Sequence, residues 1–252
     1  MKLIKGVIAA LALATAAPAL AVGSLADLTV YDRTEGKRLP VYWHQGRAYV
    51  VGKPGNEYQV SLRNRGGDDV LAVVSVDGVN VITGQTASPL QSGYVLAPRG
   101  GMDILGWRKS MAETAAFYFT PLPDSYAART GRPDDVGVIG VALFRKRSEP
   151  PPAPVGQPFP GPYSAERDSA AGARASQDAA KAAESQLGTG HGRRENSQAQ
   201  YVNFERASSA PAEVISLYYD SHRNLVAKGV IRESVPVAPL PRPFPGFVPD
   251  PA

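Results

Sequence analysis

Residues 70–83 have the sequence VLAVVSVDGVNVIT, which places an Asp77-Gly78 dipeptide between two runs rich in β-branched residues. Asp-Gly flanked in this way is typical of a two-residue type I′ hairpin, because both central residues of that turn need a positive φ. The first run, 70–76, is apolar on both faces and predicts a strand in the middle of a sheet. The second run, 79–83, predicts its antiparallel partner.

A two-residue period continues on both sides of this hairpin. Tyr58, Val60 and Leu62 alternate with polar residues, as in a strand with one solvated face. Further strands are predicted at 28–31, 41–44, 48–51, 94–97, 102–107, 115–120 and 136–145. About nine or ten short strands predict that residues 27–147 form a mainly β domain, an antiparallel β-sandwich of the jelly-roll or immunoglobulin-like kind. One helical turn is predicted at 124–130, with Asp124 as its N-cap.

The first 21 residues have the features of an export signal. Lys2 and Lys5 precede an apolar run over 6–17, and Ala19-Leu20-Ala21 fits the small-x-small cleavage rule. About 12 apolar residues reach only about 18 Å as a helix, too short to span a bilayer. We therefore expect a periplasmic or secreted protein with no transmembrane segment after signal cleavage.

Composition divides the rest of the chain into further pieces. Seven prolines fall within 148–163, an Ala-rich charged stretch follows, and seven more prolines fall within 236–251. We expect a disordered Pro/Ala-rich linker over 148–187, because its Ala-rich part has no apolar face to bury, and a disordered Pro-rich tail over 235–252.

Residues 188–234 are predicted to form a small accessory module of two strands, 201–207 and 213–219, and a short helix over 220–228. Its 47 residues offer little core. We expect residues 27–147 to fold alone and this module to dock on them through Phe204, so that loss of that ring would release the module.

Several segments resemble an uncharacterised family of exported bacterial proteins. They are 73–92 (VVSVDGVNVITGQTASPLQS), 125–129 (SYAAR) and 136–144 (VGVIGVALF). Two more, 187–191 (LGTGH) and 204–209 (FERASS), resemble a C-terminal module of some members of that family. The resemblance implies export and a β-rich fold. It brings no activity, ligand or site residue with it.

Charge and composition exclude several classes of function. A net charge of +4, which falls to about +2 without the two signal lysines, gives no concentrated basic face for nucleic acid. The chain has no cysteine, which excludes disulfides, thiol catalysis and Cys-ligated metal. Its histidines, His44, His191 and His222, have no metal-binding spacing. We therefore expect neither a cofactor nor a metal.

Catalytic candidates are few. Gly188-Thr189-Gly190-His191-Gly192, followed by Glu195, is predicted to be either a flexible hinge or a loop that approaches a ligand closely. One alternative is thus an exported hydrolase that uses His191 and Glu195 or the loop aspartates, which are Asp68, Asp69, Asp134 and Asp135. No nucleophile motif supports that alternative, so we assign no catalytic residue.

Aromatic side chains are the remaining candidates for a binding surface. Tyr42, Trp43, Tyr49, Tyr94, Trp107, Tyr118 and Tyr126 occur in predicted strands and in the helical turn. Packing in the core is the simplest role for such rings, and stacking against a sugar or a peptide is the alternative. We select Trp43, Tyr94, Trp107, Tyr126 and His191 as candidate ligand-binding residues. The function expected is that of a non-catalytic binding or structural module of the bacterial envelope or secretome, with an envelope protein or a glycan as partner and carbohydrate binding as an alternative.

Overall fold

The structure is a computed structural model that describes residues 21–148 and 186–232. Residues 1–20 of the predicted signal sequence, 149–185 of the predicted linker and the predicted tail lie outside the described residues. No helix in the described part of the chain is both long and apolar enough to cross a membrane.

Two seven-stranded sheets pack together, which confirms the predicted mainly β sandwich. Sheet I has the order β10-β11-β5-β1-β2, with β13 paired to β11 and β9 paired to β5. Its strands are β1 (Ala26–Asp32), β2 (Lys37–Arg38), β5 (Glu57–Asn64), β9 (Gly101–Ile104), β10 (Gly106–Arg108), β11 (Glu113–Pro121) and β13 (Leu187–Asn196).

Sheet II has the order β3-β4-β14-β12-β6-β7, with β8 paired to β6. Its strands are β3 (Val41–His44), β4 (Arg47–Val51), β6 (Val70–Val76), β7 (Val79–Asn80), β8 (Tyr94–Leu96), β12 (Val138–Arg145) and β14 (Glu213–Asp220). The pairing of β4 with β14 is parallel, and the other strand pairs are antiparallel.

The predicted Asp77-Gly78 hairpin is confirmed. Asp77 and Gly78 have φ angles of 52° and 69°, as a type I′ turn requires, and Val76 lies opposite Val79. Side chains of both sheets form one core between them, with β6 in the interior of sheet II.

Both short helices are capped by serine. Helix α1 (Tyr126–Arg129) begins after Ser125, whose side chain accepts a hydrogen bond from the backbone N–H of Ala128. The predicted cap, Asp124, is wrong, because Asp124 ends a preceding 3₁₀ turn. Helix α2 (His222–Ala227) begins after Ser221 in the same manner and is followed by Gly229 at φ 70°.

The C-terminal residues contribute strands to both sheets. Residues 188–192, predicted as a hinge or a loop, lie inside β13, which pairs with β11 in sheet I. β14 lies between β4 and β12 in the interior of sheet II. The predicted strand over 201–207 is wrong, since only an isolated bridge between Lys146 and Arg206 forms there.

A second apolar cluster lies on the outer face of sheet II. It consists of Leu71, Val73, Ala142 and Phe144, and Phe204 packs against it. The guanidinium of Arg206 lies 4.3 Å from the centre of the Phe144 ring. The segment that leads from β13 to β14 therefore covers one end of this face.

Candidate functional site

Three of the five predicted ligand-binding residues come together beside β13. The rings of Trp107 and Tyr126 have centroids 4.8 Å apart, and those of Tyr126 and His191 are 5.7 Å apart. The indole N–H of Trp107 donates to the carbonyl of Gly190. Trp107 is buried, Tyr126 is partly exposed and His191 is exposed, so only the last two present surface to a ligand.

The other two predicted residues lie elsewhere. Tyr94 is buried in β8, and its hydroxyl accepts a hydrogen bond from Nε of Arg108 at 3.3 Å. Trp43 is 57% exposed on β3, at the end of the strand order of sheet II, and makes no ring contact with another described aromatic residue. The structure therefore does not join these two side chains to the cluster around His191.

His191 and Glu195 point to opposite faces of β13. His191 lies opposite the core residue Phe117, and Glu195 lies opposite Thr114, whose neighbour Ala115 belongs to the core. Both carboxylate oxygens of Glu195 accept hydrogen bonds of 2.8 Å from Arg33. Glu195 is thus held in an ion pair away from the imidazole, which leaves the two without the shared geometry of an acid–base pair.

The loop aspartates lie in two separate places. Asp68 and Asp69 follow β5, where the Asp69 carboxylate lies 2.9 Å from Nζ of Lys146. Asp134 and Asp135 are exposed in a 3₁₀ turn before β12. Within residues 21–148 and 186–232, no group of three or more His, Asp or Glu side chains has the proximity that a metal site needs.

A buried polar network lies where the two sheets meet the hairpin. The carboxylate of Asp77 accepts hydrogen bonds from the backbone N–H of Gly137 at 2.9 Å, from that of Thr189 at 2.7 Å, and from the hydroxyl of Tyr219. The Thr189 hydroxyl lies 2.6 Å from the hydroxyls of both Tyr58 and Tyr219. These side chains are almost fully buried, so the network holds the two sheets together and is not accessible to a ligand.

Burial shifts the protonation of this network. It raises the pKa of Asp77 to about 6, although the hydrogen bonds to this side chain favour its charged form and lower the pKa. Burial likewise raises the pKa of both Tyr58 and Tyr219 well above the ordinary value. The sequence assigns Asp77 to a turn, and nothing in its local pattern indicates that the side chain turns inward.

Three tyrosines form a row across the outer face of sheet II, which we call the tyrosine row. Tyr42 lies opposite Tyr49, and Tyr49 lies opposite Tyr218, on the adjacent strands β3, β4 and β14. All three are partly exposed and point away from the core, since each has a strand neighbour, Val41, Val50 or Leu217, that belongs to the core. The rings of Tyr49 and Tyr218 have centroids 5.5 Å apart, and the Arg47 guanidinium lies 5.6 Å from the Tyr218 ring centre.

Small and polar residues form the neighbouring row on the same face. The strand register places His44 opposite Arg47 and continues through Ser216, Gly140 and Ser75 on β14, β12 and β6. A Cβ at Gly140 would lie 2.6 Å from the Ser75 hydroxyl, so this hydroxyl packs against the backbone of Gly140. The tyrosine row is thus flanked by hydroxyl groups and a bare backbone strip.

A polar groove of 730 Å³ crosses the outer face of sheet I. Its lining includes Asp27, Asp103, Arg38 and Arg63, whose charges cancel. The Ser61 hydroxyl donates to Asp103 at 2.6 Å, and none of the described residues that line the groove is a histidine that could accept a serine proton. This arrangement suits hydrogen bonding to solvent or to a polar ligand.

Comparison of the chain with protein-family models, curated proteins and solved structures finds no match.

Proposed function

We propose that this protein is a non-catalytic binding module of the bacterial envelope or secretome that binds a neutral carbohydrate chain along the tyrosine row. The observation that carries the proposal is the register of Tyr42, Tyr49 and Tyr218 on one face of three adjacent strands. Neighbouring strands lie about 4.8 Å apart, so the row spans about 10 Å, which is long enough for more than one sugar ring. Tyrosine offers an apolar ring with a polar tip, which suits a ligand that is apolar on its ring faces and hydroxylated at its edges.

The row beside the tyrosines supports a neutral ligand. Ser216 and Ser75 have hydroxyls that both donate and accept hydrogen bonds, as sugar hydroxyls do. The two rows contain one permanently charged side chain, Arg47, and no carboxylate. A ligand bound here would be held by stacking and by hydrogen bonds rather than by charge.

Two features support a binding role in an exported protein. The N-terminal sequence has the pattern of an export signal. The candidate catalytic groups, His191 with Glu195 and the two aspartate pairs, are held apart or exposed singly among the described residues. The three residues of the tyrosine row, in contrast, lie opposite one another on adjacent strands.

The proposal is tested by titrating the mature protein with soluble neutral glucans, xylans, mannans and chitooligosaccharides while tyrosine and tryptophan fluorescence is recorded. Tyr49→Ala and Tyr218→Ala should each weaken binding about tenfold or more, because each removes one of the three stacking surfaces of the row. Trp43→Ala is the matched control, since it removes a larger exposed ring from β3 on the opposite face from Tyr42. Absence of binding to every polysaccharide, or an equal loss in the Trp43→Ala variant, would contradict the proposal.

A further inference from the structure

A β-bulge in β13 changes the face of the sheet to which the side chains after His191 point. His191 lies opposite Phe117 and Arg194 lies opposite Ala115, so two residues of β13, Gly192 and Arg193, face the single residue between Phe117 and Ala115 on β11. Phe117 and Ala115 both point to the core side of sheet I. In a regular strand, residues three apart point to opposite faces, but the bulge places His191 and Arg194 on the same face.

Two further cations come to this face from neighbouring elements. Trp107 of β10 lies opposite Ala115, and Lys109 follows two residues later on the same side, with its N–H bonded to the carbonyl of Glu113. Helix α1 packs against β13 and presents Tyr126 and Arg129, which are three positions apart and therefore share a face.

The charges around His191 are not balanced. Arg194 lies 3.5 Å from the Glu113 carboxylate, its ion-pair partner among the described residues. Lys109 and Arg129 have no ion-pair partner among the described residues, and both side chains are exposed. Burial, followed by the charges of Lys109, Arg194 and Arg129, lowers the pKa of His191.

We propose that His191, Arg194, Lys109 and Arg129, with Tyr126 as the wall, form a binding site for a tetrahedral oxyanion, a phosphate or sulfate group. We call it the His191 site. Guanidinium groups bind phosphate oxygens through paired N–H donors, and a lysine adds a compact charge. The site requires the bulge, because without it Arg194 would point to the face that holds Arg33 and Glu195. It lies on the core side of sheet I, apart from the tyrosine row on the outer face of sheet II, and does not depend on carbohydrate binding.

The adjacent arginines give a matched pair of variants. Arg194 faces the His191 site, whereas Arg193 points the other way and its guanidinium donates to both carboxylate oxygens of Glu57, at 2.8 and 3.0 Å. Arg194→Gln and Arg193→Gln therefore remove the same charge one residue apart, on opposite faces of one strand. Lys109→Gln removes a second cation from the His191 site without touching β13.

The experiment is a titration of the full mature protein with inorganic phosphate, sodium sulfate and glucose 6-phosphate at constant ionic strength, followed by the NMR signals of the His191 ring. We expect saturable shifts at millimolar anion and a rise in the pKa of His191 when the site is filled. Arg194→Gln and Lys109→Gln should each weaken binding about tenfold, and Arg193→Gln should leave it within about twofold. Stronger binding of glucose 6-phosphate than of phosphate would identify an ester as the ligand, and the reverse order would identify the free anion.

Two outcomes would overturn the proposal. A His191 signal that does not saturate with any of the three anions would show that no site exists. Equal weakening by Arg193→Gln and Arg194→Gln would show only general attraction of anions to a basic strand. Thermal melts of each variant distinguish loss of the site from loss of the fold.

Discussion

The stretch from β1 to β12 and the stretch from β13 to β14 build the same two sheets from different kinds of sequence. In the first stretch, alternation or, in β6, a continuous apolar run marks the strands, and β3 with β4 and β6 with β7 pair as sequence neighbours. In the second, β14 also alternates, but β13 begins Leu-Gly-Thr-Gly-His-Gly and pairs with a strand about 70 residues earlier. A strand can thus be specified by its own pattern or by the space its partners leave.

The glycines of β13 illustrate the second kind of specification. A Cβ at Gly190 would lie 2.2 Å from the ring of Tyr118, the residue opposite it on β11. A Cβ at Gly188 would lie 2.6 Å from the Cβ of Ser125, next to α1. Neighbouring side chains occupy the volume that side chains of β13 would otherwise fill, so a glycine-rich sequence with low intrinsic preference for a strand forms one here.

Removal of the second stretch should have the largest effect on folding. We predict that a fragment ending at residue 148 does not fold cooperatively, contrary to the expectation from the sequence that residues 27–147 fold alone. Without β14, sheet II divides between β4 and β12, and the core loses Ile215, Leu217 and Tyr219. Circular dichroism and a thermal melt of the fragment measure the effect.

A peptide of residues 186–232 added in trans provides the control. If the fragment fails only for lack of β13 and β14, the peptide should restore the sheet signal and a cooperative melt. A fragment that melts cooperatively by itself would show that the second stretch is an accessory to a complete sandwich.

Most of the sandwich can be predicted from sequence because its signals are local. Val70–Val76 and the Asp77-Gly78 turn define a hairpin within 14 residues, and no distant partner is needed to recognise them. The position of β14 cannot be predicted in this way. Its alternation of Ile215, Leu217 and Tyr219 predicts a strand, but the pattern is the same whether that strand lies at an edge or between β4 and β12.

The candidate sites depend on the same distinction. Tyr42 and Tyr49 are recognisable as aromatic candidates in the sequence, whereas Tyr218 joins them only through the parallel register of β14 with β4. Trp107, Tyr126 and His191 are selected from sequence as separate residues, and their contact depends on the pairing of β13 with β11. Residue type is available from the sequence, but cross-strand proximity is not.

Asp77 joins the two stretches, and its protonation gives a test of intermediate size. The pKa of Asp77 is about 6 in the folded protein and about 3.9 in an unfolded chain. Between these values the folded state binds more protons, so the free energy of unfolding falls by about 3 kcal/mol as the pH rises from about 4 to above 6. We predict that Asp77→Asn removes this decline, and urea denaturation across that pH range measures it.

The same variant should be less stable than the parent at acidic pH. An asparagine tolerates the positive φ of this turn, but one carboxyl oxygen is replaced by an NH₂ group that cannot accept the hydrogen bonds the oxygen receives. If Asp77→Asn and the parent protein show the same dependence of unfolding free energy on pH, Asp77 is not the titrating group, and its network does not couple the two stretches in this way.

The smallest effect is expected at Phe204, on the segment between β13 and β14. The sequence-based expectation is that Phe204→Ala releases the C-terminal residues. In the structure this partly exposed ring covers the outer cluster of Leu71 and Phe144, while β14 is held by strand pairs on both sides. We therefore predict that Phe204→Ala lowers the free energy of unfolding by about 1–2 kcal/mol through reduced apolar burial, without releasing the C-terminal residues.

Amide exchange should show residues 213–220 as protected as in the parent protein. Tyr201→Ala, at a ring that is 91% exposed, should change neither the free energy of unfolding nor this protection. Rapid exchange of β14 in the Phe204→Ala variant would mean that the covering segment, and not the strand pairing, holds the second stretch in place.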